Sequence, residues 1–216
     1  MIRELGLQDV FYLVLAMRWT LFLTLLAMAG GSAIGLLVAT CGASRLWPAR
    51  MLARCYVGVV RGIPLLAWLF VFYFGFPIFG ITVPAWIAAA IGFSVYAGGF
   101  LGEIWRGALI SIPRTQWEAG VSIGLSYIEQ LRHVIIPQAI RIATPPTVGF
   151  TVQLIKNTSL AAVIGFVELT REGQLTAAAT FQPLAVYSLV AVLYFSLCYP
   201  LTVCSRSLEG RLRVAR

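Results

Sequence analysis

TQWEAGVSIGLSYIEQLRHVIIP, residues 115–137, is the longest polar stretch in a chain that is otherwise hydrophobic. Thr115 stands three residues before Glu118, and Ser126 three before Glu129. That is capping-box spacing, in which a hydroxyl takes the free N–H of the third helical residue and the carboxylate reaches back to the cap. Gly124 falls where the first helix must stop, because glycine accepts the left-handed conformation of a helix C-terminus. Pro137 is expected to end the second. The stretch reads as a short helix, a glycine corner and another short helix, all outside the membrane.

Trp117 and Val121 are four residues apart and Ile123 lies near the same side, so the first helix shows an apolar face. A helix this short is marginal alone in water, and something must cover that face. Either it folds back onto its own membrane domain or it enters a soluble partner. Composition does not choose between them.

Outward from this stretch the chain turns apolar. Of its 216 residues 60% are hydrophobic and 11% charged, with a mean hydropathy of +0.89, which excludes an ordinary soluble domain. Residues 19–44, 62–102, 142–155, 157–167 and 173–205 carry no formal charge. A helix needs about 20 mostly apolar residues to cross a bilayer. The 62–102 run holds two such segments around FGFPIFGITVP, whose Gly and Pro mark a turn. The expectation is an all-α polytopic fold, one transmembrane domain over residues 1–216, with five spans at about 19–41, 56–75, 84–105, 144–167 and 183–204 and a cytoplasmic loop at 106–142. The N-terminal apolar run is too long for a cleavable signal peptide, and residues 1–18 read as a short external segment.

The net charge of +8 reports topology and anionic lipid, with no nucleic acid implied. With five spans, Arg45, Arg50, Arg54, Arg106, Arg114, Arg132, Arg141, Arg206, Arg211, Arg213 and Arg216 fall on one side, and only Arg3, Arg18 and Arg171 on the other. Cytoplasmic loops carry the excess of Lys and Arg, which puts the C-terminus inside and the N-terminus outside. Cys41, Cys55, Cys198 and Cys204 sit singly, without CxxC spacing, and read as small buried hydrophobes in place of zinc ligands.

Within the spans, Gly31 and Gly35 have the four-residue spacing of close helix approach. Gly98, Gly99 and Gly102 suit tight packing or the lining of a solute path. Arg61 and Glu103 should lie at similar depth and are expected to pair, with Arg106 the alternative partner of Glu103, because a lone charge in hydrocarbon costs about 2.5–3.5 kcal/mol. Pro145 and Pro146 suit the first turn of the fourth span. Lys156, the chain's one lysine, falls near the middle of that span beside Asn157, Thr158 and Ser159. A lysine there marks a pathway or a buried partner, and its polar neighbours can satisfy a locally loosened backbone. Glu168, Arg171, Glu172 and Gln174 read as an outer loop, either solvated or docking a delivery protein.

Four blocks carry a resemblance. Glu118-Ala119-Gly120, then Gly124, then nine residues to Val134-Ile135-Ile136-Pro137, resembles the EAA loop of ABC-importer permeases, with Gly120, Val134 and Ile136 departing from its pattern. RGIPLL from Arg61, GEIWRGALISIPRTQWEAG from Gly102, IIPQAIR from Ile135 and LIKNTSL from Leu154 are similar to permeases of polar-amino-acid uptake systems, the histidine, glutamine and arginine type. The resemblance implies a bacterial inner (plasma) membrane subunit. It would work with a second permease, identical or similar, with two ATP-binding-cassette ATPase subunits, and with an extracytoplasmic amino-acid-binding protein. It implies that Trp117, Glu118, Ala119, Gly120, Val121 and Gly124 form an ATPase-docking coupling helix, and that Lys156, Asn157, Thr158, Ser159, Arg61 and Glu103 belong to a substrate pathway.

The chain lacks G-x-x-x-x-G-K-[ST], so the reading is a non-enzymatic transport subunit, with ATP and magnesium held by partner ATPases. A passive channel and a membrane scaffold subunit are the rival readings.

Overall fold

In a computed structural model the chain is helical throughout, with no strand among the described residues, 4–214. Arg3 and Arg216, counted above for topology, lie outside them.

Helix α1 runs without a break over Leu7–Ala43, 37 residues or about 55 Å. Residues 7–18 are therefore helical and continuous with the first apolar helix. Asp9 anchors its start, its carboxylate accepting from the Gly6 N–H at 2.9 Å. The expected second span is two helices, α2 (Trp47–Gly62) and α3 (Leu65–Ile78), bent by 97°. Pro64 explains the elbow. It has no N–H to donate and holds Ile63 extended, at φ −106° and ψ 131°.

Helix α4 (Ala85–Ile110) is the centre of the molecule. Its glycines and alanines admit three neighbours. Gly31 of α1 lies directly against Ala97, and a Cβ on Gly35 would stand 3.0 Å from Leu101 Cβ and 3.1 Å from the Gly102 nitrogen. The spacing read from the sequence is thus a packing stripe. Gly99 receives Val60 of α2, where a Cβ would meet Val60 at 2.7 Å, and Gly92 receives Leu69 of α3. Tyr56 donates to the Val95 carbonyl at 2.7 Å. Around these contacts sits the main core, with Leu23, Phe93, Leu101, Phe150 and Leu154.

After α5 (Arg114–Ser122) and α6 (Tyr127–Gln130), a π-helical turn, Leu131–Ile135, leads straight into α7 (Ile136–Asn157). Pro137 therefore does not end a helix. The wider turn, closed from the Ile136 N–H to the Leu131 carbonyl, precedes it and places its missing N–H in the first turn of α7. Pro145 and Pro146 lie well inside α7 rather than at its start. Around them Thr144 and Thr147 bond back to the Ile140 and Ala143 carbonyls, both at 2.7 Å, and Ser205 of α9 caps the Pro145 carbonyl at 3.1 Å.

A 3₁₀ segment, Thr158–Ile164, follows α7. The supposed outer loop is helix α8 (Leu169–Thr180), and α9 (Pro183–Val214) closes the chain. Three helices are long and apolar enough to cross a membrane, α1, α4 and α9, or up to five spans if each bent pair is one. Exposed Leu21, Phe22, Leu25, Leu36 and Leu37 of α1, and Leu184, Val192, Phe195 and Val203 of α9, give these helices apolar outer faces. Of the cysteines only Cys198 is buried. Cys55 and Cys204 are exposed, which corrects the reading of all four as buried.

Candidate functional site

Pro113 ends α4's exit and starts α5 at Arg114, one residue before the expected cap. Thr115 therefore falls inside the first turn, no side chain caps α5, and the Thr115–Glu118 box does not form. The second box does. Ser126 Oγ accepts from the Glu129 N–H at 3.4 Å, and Glu129 Oε2 accepts from the Ser126 N–H at 2.8 Å. That hydrogen bonding holds the Glu129 carboxyl below its ordinary value, chiefly through the Ser126 hydroxyl. Between the helices Gly124 sits at φ +79°. The Gly124 N–H reaches the Val121 carbonyl at 2.9 Å, and the Leu125 N–H the Gly120 carbonyl at 3.0 Å, so a glycine C-cap closes the corner.

The predicted docking residues divide into two sets. Trp117 turns inward, joins Ile112, Ile135 and Ala139 in a small core, and stacks on Tyr127. Gly120 is buried against Gln130, whose Nε2 donates to the Leu125 carbonyl at 2.8 Å. Glu118, Ala119, Val121 and Gly124 face outward. Ile123 is not part of the helix, but its side chain is 75% exposed and Val121 is 67% exposed. Tyr127 and Ile128, which sequence reasoning missed, extend this apolar surface. Their adjacency to a capped corner was the available signal.

The membrane-facing candidates also divide. Two rungs set α7 antiparallel to α4: Trp105 Nε1 donates to Thr147 Oγ1 at 3.0 Å, and the Phe100 and Phe150 rings stack at 5.4 Å. Arg61 does not pair with Glu103. Its guanidinium lies over the Phe100 ring, 5.2 Å from the centroid, while Arg106 grips both Glu103 oxygens from one turn away, Nε to Oε2 at 2.9 Å. The alternative partner wins because it reaches the carboxylate within one helix.

Lys156 lies in the last turn of α7 and is exposed, Asn157 and Ser159 are half-buried, and Thr158 is buried. The helix tightens here into 3₁₀ geometry. Thr158 Oγ1 and Ser159 Oγ donate to the Ile155 and Lys156 carbonyls, each at 2.7 Å, so these hydroxyls satisfy carbonyls where the helix tightens, not where it loosens. Sequence reasoning missed Gln153. With Pro146, Gly149 and Lys156 it falls on one exposed stripe of α7, within an arc of about 80° at 100° per residue.

Glu168 is fully buried rather than a solvated loop charge. It caps α8, accepting from the Thr170 and Arg171 N–H groups at 2.9 Å each, and from Tyr194 OH of α9 at 2.8 Å. Leu169 N–H donates to Thr20 Oγ1 of α1 at 3.3 Å, so one capped turn ties three helices. Arg171 turns to Gln174.

The family of binding-protein-dependent transport system inner membrane components matches residues 31–214 of this chain. The chain belongs to that family. It is similar to a probable amino-acid ABC transporter permease protein of Bacillus subtilis (strain 168), 37% identical over 96% of this chain and 92% of the relative. The L-cystine transport system permease protein of the same organism is 37% identical over 90% of this chain and 83% of its own length. The glutamine transport system permease protein of Escherichia coli K12 is 36% identical over 91% of each chain. Among solved structures, an amino acid ABC transporter with histidines superposes with a TM-score of 0.88 at 29% identity, covering 98% of this chain and 99% of the other. The MetNI methionine ABC transporter in inward-facing conformations shares the fold, with a TM-score of 0.69 at 20% identity. This inner membrane component therefore has the fold of an importer permease.

Proposed function

We propose that this inner membrane component is the permease subunit through which an ATP-binding-cassette importer carries a polar amino acid. A separate binding protein feeds it and two ATPase subunits drive it, holding the ATP and magnesium, while a second permease completes the path. The single observation that carries the reading is the apolar surface of Val121, Ile123, Tyr127 and Ile128 on a segment made stiff by the Gly124 turn and the Ser126 cap. Exposed apolar side chains on a rigid, otherwise polar segment mark a protein contact. The amino-acid relatives and the matching transporter support the substrate class.

In mechanism, closure of the ATPase pair pushes α5. Trp117, stacked on Tyr127 and packed on Ile135 and Ala139, passes the push to α7, and Pro113 passes it to α4. These two helices then tilt and open the path alternately to each face. The excess of arginines on the side of this segment supports a cytoplasmic C-terminus and an outer N-terminus.

Proteoliposomes containing this chain with its second permease, ATPase and binding protein test the reading. Amino-acid uptake should require ATP and every partner. Uptake that proceeds without ATPase or ATP would make the chain a passive channel.

A further inference from the structure

Five apolar side chains enclose a hollow that no step of the proposed transport uses. Trp19 and Phe22 of α1, Trp86 in the first turn of α4, and Phe166 and Val167 after the 3₁₀ segment line about 510 Å³. Helix α7 contributes nothing to it. The rings meet at steep angles, Trp19 with Phe22 at 5.7 Å and 85°, Trp19 with Phe166 at 6.3 Å and 82°, and so form walls instead of a filled stack. Trp19, Phe22 and Trp86 are exposed, so the hollow opens outward. One charged group stands beside it. The Arg18 guanidinium lies over the Trp19 ring, 5.2 Å from the centroid, and meets no carboxylate among the described residues.

Its depth follows from the packing of α1 on α4. Gly42 approaches Arg106 near the end of α4, while Phe22 meets Trp86 at its start, ring centroids 6.4 Å apart. The two helices therefore run parallel, and the hollow lies at the end of the molecule away from α5. α1 carries no charge from Trp19 to its end at Ala43, which is about 38 Å of helix from Arg18. A bilayer measures about 30 Å across its hydrocarbon core and about 40–45 Å with its headgroup layers. With Arg45 in one headgroup layer, Arg18 falls in the other and the rings just beneath it. Indoles, with an apolar body and an N–H, suit that boundary.

We propose that this hollow is a phospholipid site: Arg18 binds the phosphate of an anionic lipid, and one acyl chain lies between Trp19, Phe22, Trp86 and Phe166. Polarity and charge select this occupant. The walls give an acyl chain apolar contact and offer no side-chain oxygen to a polar solute. The free cation favours a phosphate whose charge no ammonium offsets, so phosphatidylglycerol is preferred to phosphatidylethanolamine.

The test is native mass spectrometry of the complex, with its second permease and ATPases, freed of co-purified lipid. It is titrated with phosphatidylglycerol or phosphatidylethanolamine of the same acyl chains. Phosphatidylglycerol should bind about fivefold tighter, the preference that one arginine near a charged surface confers. Arg18→Gln should bring the two lipids level, and Phe22→Ala should weaken both while the melting temperature holds. Equal binding of the two lipids by the unaltered complex would overturn the site, as would an unchanged preference in Arg18→Gln or no loss in Phe22→Ala. So would glycerol 1-phosphate, which lacks acyl chains, competing as well as the lipid. Crosslinking of Phe22→Cys to the second permease or the binding protein would also overturn it, because a protein then covers the hollow.

Discussion

The indole of Trp117 stacks on the ring of Tyr127, centroids 5.5 Å apart and planes at 17°. α5 and α6 are thereby packed on each other across Gly124. A β-carbon is ill suited to Gly124 at φ +79°, because a left-handed backbone costs an L-residue about 1–2 kcal/mol. In Gly124→Val the corner should loosen while the membrane core persists. Substrate-stimulated ATP hydrolysis should fall several-fold with binding-protein docking retained, measured by ATPase assay and by co-purification.

Gly35 gives a prediction about the core. Its missing Cβ is the space that Leu101 and Gly102 occupy. Gly35→Val should separate α1 from α4 and cost about 1–3 kcal/mol, the usual penalty of overpacking. A lower melting temperature in detergent, read by fluorescence size-exclusion, would show it. Gly58, with nothing near its Cβ position, should tolerate alanine in the same assay.

Glu168 makes the strongest polar tie between elements. Glu168→Ala leaves the Thr170 and Arg171 N–H groups without their acceptor and leaves the Tyr194 hydroxyl only Thr170 Oγ1, at about 1–3 kcal/mol for a buried donor left unsatisfied. Tyr194→Phe removes one of the three bonds and should cost less. A double-mutant cycle read by thermal unfolding should show positive coupling between the two positions.

The α6 cap predicts a pH dependence. The Glu129 carboxyl is held below its ordinary value of 4.5 by Ser126. A depressed carboxyl stabilises the fold above that ordinary value and loses the contribution as pH falls through the lowered one. The Glu129 contribution should therefore be constant above about pH 5 and fade only in more acid solution, and Ser126→Ala should remove that acid loss, read as protection factors, corrected for the intrinsic pH dependence of exchange, of the Tyr127–Glu129 amides.

What the sequence disclosed, and what it hid, follows from distance along the chain. Gly124, the Ser126–Glu129 box and the Gly31–Gly35 stripe depend on residues within one or two turns, and each is present in the fold. Thr115 failed as a cap because Pro113, two residues earlier, had already started the helix. Arg61 failed as a partner because Arg106 reaches Glu103 at lower conformational cost. The burial of Glu168 depends on Tyr194, 26 residues away, and no local pattern announces it. Gln153 was hidden differently. It is uncharged, so a search for charged residues at span depth passed over it, although its spacing with Gly149 and Lys156 marks one face.

Site-directed crosslinking at α5 tests the account most directly. In a background without native cysteines, Val121→Cys should crosslink to a separate ATP-binding polypeptide in the assembled complex, while Trp117→Cys, turned inward, should react mainly within its own chain. Val121→Cys products confined to the chain's own helices would contradict the account.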